Sequence, residues 1–281
     1  MTSEHQRELA SAFRARHRDG PIIVLPNAFD AGSARLFARH NPPAIGTTSG
    51  GIAWAAGRPD GEHLTREQML DAVSRIVGAV EIGVSADVEA GYGDAPEDVA
   101  TTAAGVIDCG AIGLNLEDSG SARGSRAGAL LDAAEAALKI AAAREVANRV
   151  GVDLVINART DVFLLGAGED DRERADMAVE RGNAYLAAGA DCVFVPGAVT
   201  VDLIAELVDR IQLNVYVLAG LPGVGELGRL GVRRVSIGGG PYQACMALLD
   251  EVAAALVVDG SYGPLLARQL SFPEMQEIGR R

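Results

Sequence analysis

Asp87 and Glu89 stand two residues apart in the string ADVEAGYG (86–93), and Glu117 and Asp118 close a second string, NLED (115–118). Each string follows a short aliphatic run that reads as a buried strand. Each therefore delivers carboxylates where a strand stops and a loop begins, the end at which ligands and metals sit in parallel α/β proteins. On a regular strand Asp87 and Glu89 face one side. Glu117 comes from the next strand. Three carboxylates in one dry pocket repel unless protonated or neutralised. Arg159 supplies one positive charge, with a planar fork suited to a substrate carboxylate or phosphonate. One arginine does not balance three acids, so the pattern predicts a hard divalent ion, Mg²⁺ or alternatively Mn²⁺.

Other strand ends add polar groups to the same face: Asn27 and Asp30, Thr47 to Gly51, Asn115, and Asn157 to Asp161. The run Thr48-Ser49-Gly50-Gly51 reads as a turn of small residues whose backbone N–H groups can cradle an anion. Trp54, Phe163 and Tyr242 are candidate liners of the pocket.

Eight runs carry these ends, at 21–27, 44–48, 84–88, 112–116, 154–157, 192–195, 214–218 and 234–237. Most are continuously apolar rather than alternating, as strands covered on both faces are. Helical spacing fills the intervals, including 66–80 (with Thr65 as N-cap), 96–109, 129–150, 171–188 and 201–208. Gly110, Gly151, Gly189 and Gly231 follow such segments as helix stops. Eight alternating pairs predict a (β/α)₈ TIM barrel. The rival, a Rossmann sheet, lacks its G-x-G-x-x-G after the first strand. The expected organisation is one barrel domain over 1–281, extended at the C-terminus by an apolar helix at 242–258 and a tail whose Leu265, Leu266, Leu270 and Phe272 predict packing.

Composition narrows the chemistry. The 281 residues carry a net charge of −13, which argues against nucleic acid or an anionic membrane as partner. No apolar run approaches the ~20 residues that span a bilayer, and the charged N-terminal segment does not read as a signal peptide. The expectation is a cytoplasmic protein. Cys109, Cys192 and Cys245 have no zinc or disulfide spacing and read as small buried hydrophobes. Lys139 is the only lysine and falls in a predicted helix, which argues against a Schiff-base aldolase. His5, His17, His40 and His63 all lie in the first quarter of the chain, so a histidine-ligated metal or Ser-His-Asp hydrolase is not expected.

Six strings together resemble the isocitrate lyase/phosphoenolpyruvate mutase superfamily: PNAFDAGSARL (26–36), TTSGGIAWAAGRPDG (47–61), ADVEAGYG (86–93), GLNLEDS (113–119), NARTD (157–161) and FVPG (194–197). Their order and spacing cover the chain from about residue 20 to 250. The resemblance implies a (β/α)₈ barrel whose eighth helix is swapped between subunits of a homodimer or homotetramer. It implies Mg²⁺ at Asp87, with Glu89 and Glu117 acting mostly through water. It further implies a 2-oxo acid held by Ser49, Gly50, Gly51 and Arg159, with Asp60 near the metal's water shell and Asn115 among the binding residues. The shared chemistry is formation or quenching of a Mg²⁺-bound enolate.

The loop after the fourth strand departs from the family. Lyases of the superfamily carry K-K-C-G-H there, whereas this chain reads SGSARGSRAG (119–128), with no cysteine, lysine or histidine. The phosphonomutases place a histidine at the end of strand six, where this chain has Pro196. Arg123 and Arg126 are then the candidate catalytic groups of a lid that closes on an anion. The expected function is a Mg²⁺-dependent lyase acting beside a 2-oxo acid carbonyl, by C–C cleavage or formation or by oxaloacetate-type decarboxylation. The alternatives are P–C chemistry, as a phosphonomutase or phosphonopyruvate hydrolase, and a weakly catalytic 2-oxo acid-binding protein.

Overall fold

The computed structural model describes residues 2–121 and 128–280. Its elements, in chain order, are α1 (Glu4–Arg18), β1 (Ile23–Leu25), β2 (Asn27–Ala28), α2 (Ala31–Ala38), β3 (Ile45–Thr47), α3 (Ser49–Ala55), α4 (Arg66–Val77), β4 (Val84–Asp87), α5 (Pro96–Asp108), β5 (Gly113–Glu117), α6 (Ala133–Val150), β6 (Val155–Arg159), α7 (Asp171–Ala187), β7 (Cys192–Phe194), α8 (Val201–Val208), β8 (Leu213–Tyr216), α9 (Val224–Leu230), β9 (Arg234–Ser236), α10 (Gly240–Val257), α11 (Gly263–Arg268) and α12 (Phe272–Arg280).

All strand pairs are parallel, in the order β1-β9-β8-β7-β6-β5-β4-β3-β2. The two ends of that order, β1 and β2, are consecutive pieces of one strand broken at Pro26, which has no N–H to donate to a ladder. β1 pairs with β9 and β2 with β3. The sheet therefore closes into a (β/α)₈ barrel. Asn27 mends the break: its Oδ1 accepts from Ile237 N at 2.8 Å and Gly238 N at 3.0 Å, while its Nδ2 donates to Thr47 O at 2.7 Å.

Short-range signals account for the helices. Thr65 and Gln68 form a capping box at α4, and Asp30 and Ser33 form one at α2. Asp30, a strand-end candidate, is thus spent as a cap. Gly110, Gly151, Gly189 and Gly231 all have φ between 73° and 107°, which suits a glycine just past a helix. The expected turn at Thr48–Gly51 instead opens α3, with the Thr48 side chain as its N-cap.

Helix α1 closes the N-terminal mouth of the barrel. Gln6 Nε2 donates to Ile107 O and Ala111 O, both at 2.9 Å, and Arg14 reaches Asp153 and Asp191. The tail docks only at its end, with Ile278 buried and Arg35 Nη1 donating to Gly279 O at 2.7 Å, whereas Leu265, Leu266, Leu270 and Phe272, the residues expected to pack, are exposed. α10 likewise leaves Met246, Leu249, Leu256 and Val257 exposed. Cys245 is exposed on the same helix, against the expectation that all three cysteines are buried. No helix among the described residues is long and apolar enough to cross a membrane.

Candidate active site

At the C-terminal mouth, a cavity of about 170 Å³ is lined by the polar residues Asn27, Ser49, Asp60, Asp87, Asn115 and Arg159. Trp54, Leu164, Phe194, Pro196 and Tyr216 add an apolar part to the lining. Phe163 and Tyr242 do not line it. Tyr242 packs edge-on against Phe29 and beside Trp54.

Asp87 ends β4. Its N–H donates to Thr47 Oγ1 at 2.8 Å and its Oδ2 accepts from Ser49 N at 3.0 Å. Burial raises its pKa, and the Glu117 and Asp60 charges add to that. Asp60 leans in from the rim. Desolvation against the cleft and then Glu117 raise it too. A Cβ on Gly50 would come within 3.1 Å of Asp60 Oδ2, so the close approach of Asp60 relies on glycine there. Gly51, an expected binding residue, is not among the residues that line the cavity, and its N–H is turned to Thr48 Oγ1 at 3.3 Å.

Arg159 ends β6 and is clamped. Its Nε and Nη2 donate to the two oxygens of Asp161 at 2.6 and 3.0 Å, and its Nη1 pairs with Glu117 Oε2 at 2.8 Å. Each terminal nitrogen keeps one further hydrogen for a ligand. Burial works against the guanidinium charge, yet Glu117, Asp161 and Asp87 together raise its pKa above the usual arginine value. Asp118 does not join the carboxylates of the cavity. It is buried behind them, accepting from Tyr185 OH at 2.7 Å, Arg181 Nη1 at 3.1 Å and Asp161 N at 2.9 Å. Asp118 thereby holds the residue that holds Arg159.

Glu89 is not on a regular strand. β4 stops at Asp87, and Glu89 takes φ 52°, so the two side chains do not share a face by simple alternation. Its Oε1 accepts from Tyr92 OH at 3.0 Å and its Oε2 from Glu62 N. Burial, then the Asp60 and Glu117 charges, push its pKa up to about 8. Glu62 (φ 58°) and Tyr92 (φ 63°) are also left-handed, and Tyr92 N donates to Glu62 Oε1 at 2.7 Å. Three of the four described non-glycine residues with positive φ therefore meet in one network. Such strain persists where the surroundings over-determine it, commonly at functional sites. Ser121 Oγ also donates to Glu62, tying the network to the start of the loop after β5.

Sequence reasoning missed Glu62; its only local signal is its place after the turn residues Asp60-Gly61. It also missed Leu164, Phe194, Tyr216 and Ser236 as liners. Arg123 and Arg126 lie outside the described residues. Lys139 does not reach the cavity but is buried in α6, its Nζ without a hydrogen-bond partner among the described residues. Arg234, in β9, is wholly buried beneath the cavity floor, and burial pushes its pKa down to about 10. Among the described residues no group of three His, Cys, Asp or Glu side chains converges tightly enough to hold a metal ion by itself.

This geometry has known counterparts. Residues 13–257 match the family described as phosphoenolpyruvate phosphomutase. The chain is 36% identical over 269 residues to the uncharacterized protein Rv1998c of Mycobacterium tuberculosis, covering 94% of this chain and 95% of that one. It is 31% identical over 247 residues to an oxaloacetate decarboxylase of Ectopseudomonas mendocina, covering 85% and 81%. A solved structure from Burkholderia cenocepacia J2315 superposes with a TM-score of 0.90 at 32% identity, covering 99% of this chain and 98% of that one.

Proposed function

Because the chain belongs to the phosphoenolpyruvate phosphomutase family, within the isocitrate lyase/phosphoenolpyruvate mutase superfamily, we propose that it is a divalent-metal-dependent lyase acting beside the carbonyl of a 2-oxo acid. One observation carries the reading. Among the described residues, Arg159 is the only cation lining a cavity that also contains Asp87 and Asp60, and its Glu117 and Asp161 partners already offset its charge. The candidate ligands there, the Asp87 and Asp60 carboxylates, offer oxygen, the donor a hard cation takes. Asp87 would hold Mg²⁺ directly, and Glu89, Glu117 and Asp60 would act through water, since Mg²⁺ keeps several waters and needs no all-protein cage. The ion would supply Lewis-acid stabilisation of charge developing on the 2-oxo oxygen.

The chain's own residues do the rest. The free hydrogens of Arg159 and the Gly50 N–H bind and orient the acid's carboxylate. The apolar wall of Trp54, Phe194, Pro196 and Tyr216 limits water around the substrate. For an oxaloacetate-type substrate, a departing carboxylate against that apolar wall meets no cation among the described residues, which favours its loss as CO₂. The C3–C4 electron pair then passes into the C2 carbonyl, giving an enolate that takes a proton at C3. This reaction needs no lid cysteine. P–C chemistry is the second reading, favoured by the match to the mutase family. The test is turnover of oxaloacetate and of phosphonopyruvate with Mg²⁺ and with EDTA. Mg²⁺-dependent pyruvate release from oxaloacetate supports the first reading. Turnover of phosphonopyruvate alone replaces it with the second.

We also infer that the chain self-associates through α10, whose exposed Met246, Leu249, Leu256 and Val257 need cover. Light scattering behind size exclusion tests this; a monomer at micromolar concentration would exclude it.

A further inference from the structure

Below the cavity floor lies a charge that the chemistry above does not use. Arg234 is 1% exposed. The other well-buried arginines have carboxylate partners: Arg144 has Asp191 at 2.6 Å, Arg159 has Glu117 and Asp161, and Arg181 has Asp118 at 3.1 Å. Arg234 has neutral ones. Its Nε donates to Ser236 Oγ at 3.2 Å and its Nη2 to Asn115 Oδ1 at 3.3 Å, while Nη1 has no partner among the described residues. An unpaired buried charge is costly, and a hydrophobic replacement of similar volume is often neutral or stabilising. Packing alone does not explain a guanidinium here.

Its partners do. Asn115 and Ser236 both line the cavity. A guanidinium has donors and no acceptor, so Asn115 must turn its oxygen down toward it. Asn157 Nδ2 donates to that same oxygen at 2.7 Å. With Oδ1 engaged by Arg234 and, from the neighbouring strand, by Asn157, Nδ2 is the group Asn115 has left for the cavity. It sits directly across the β4–β5 ladder from Asp87. A free amide could present either end, and presenting oxygen would repel an anionic ligand.

We propose that Arg234 is a positioning residue that makes the cavity floor a hydrogen-bond donor surface, by fixing the Asn115 amide and placing a buried positive charge beneath it, and so selects an anionic oxygen on the ligand. The proposal rests on the oxo-acid reading of the site and names the ligand feature recognised from below: a charged oxygen over the floor, additional to the carboxylate taken by Arg159.

The test uses the full chain, Mg²⁺ and two probes of one shape, oxalate with two carboxylates and oxamate with a neutral amide in place of one. Calorimetry gives the ratio of their affinities, and thermal unfolding reports stability separately. Arg234→Met is expected to lower the oxalate preference about tenfold, the scale of one hydrogen bond to a charged group. Arg234→Lys, which keeps charge without the fork, should recover part of it. Asn115→Ala should lower the preference too, and Arg234→Met should then add little, because the two act in series. An unchanged preference in a folded Arg234→Met protein overturns the proposal and leaves the site reading intact. If Arg234→Met does not fold, an unchanged preference in Asn115→Ala overturns it equally. Failure of the wild-type protein to bind oxalate with Mg²⁺ instead removes the oxo-acid reading itself.

Discussion

Two arginine–carboxylate clusters sit at opposite mouths of the same barrel, and they differ in charge balance. At the N-terminal mouth Asp191 accepts from Arg14 Nε at 2.7 Å, Arg144 Nη2 at 2.6 Å and Ile156 N at 3.0 Å, while Arg14 also reaches Asp153 at 3.1 Å. Two cations meet two acids, and the ladder start of β6 is fastened to the loop before β7. At the C-terminal mouth one arginine among the described residues faces Glu117 and Asp161, with Asp60 and Glu117 close enough to add to the raised pKa values of Asp87 and Glu89. The balanced cluster serves the fold. Among the described residues the unbalanced one lacks positive charge, and the proposed cation would account for its gathered carboxylates and raised pKa values.

That contrast is breakable by substitution. The largest effect is expected from Asp87→Ala, which should abolish Mg²⁺-dependent oxalate binding in calorimetry while leaving the metal-free melting temperature unchanged or higher, since it removes repulsion. Arg159→Ala should weaken oxalate binding about 100-fold with Mg²⁺ present, the loss of a charged, hydrogen-bonded contact. Its counterpart below, Asp191→Ala, should leave Arg144 without a carboxylate and Arg14 with Asp153 alone, and destabilise the fold by about 3 kcal/mol in denaturant unfolding, without altering oxalate affinity in the folded fraction. Loss of oxalate binding on Asp191→Ala would show that the two mouths are coupled and end the distinction.

Much of this was legible before the structure. The barrel could be read because buried parallel strands leave continuous apolar runs and glycines punctuate the helices. The polar strand ends could be read because chemistry and strand termination coincide at Asp87, Asn115, Glu117 and Arg159. What stayed hidden was what depends on side-chain direction. Asp118 adjoins Glu117 yet turns into the wall, where Tyr185 and Arg181 hold it. Glu89 leaves the strand register because its backbone is left-handed, which no spacing rule anticipates. Arg234 opens the run read as the last strand, 234–237, but only barrel closure puts its side chain beneath Asn115. Glu62 becomes part of the network through a contact with Glu89, 27 residues away.

The two mouths should also answer pH in opposite directions, a smaller effect that separates them without disturbing either cluster. At the C-terminal mouth Glu89 titrates at about 8 in the fold against 4.5 when free. Between those values the unfolded chain has released a proton that the native state keeps, so raising the pH favours unfolding. Asp60 and Asp87 shift the same way. Metal-free stability should therefore fall as pH rises from about 4.5 to 8. At the N-terminal mouth burial, then the Arg234 charge, lower His17 to about 4 from 6.5. Its Nδ1 donates to Phe13 O at 2.9 Å as the neutral ring. Here the unfolded chain gains the proton first, and stability is lost as pH falls from 6.5 toward 4. Melting temperature against pH, in EDTA and in Mg²⁺, reads both. Mg²⁺ should flatten the loss on the alkaline side because it favours the ionised carboxylates, and His17→Asn should flatten only the acid side. If Mg²⁺ leaves the alkaline slope untouched, the acids at the C-terminal mouth do not share a cation, and the unbalanced cluster needs another explanation.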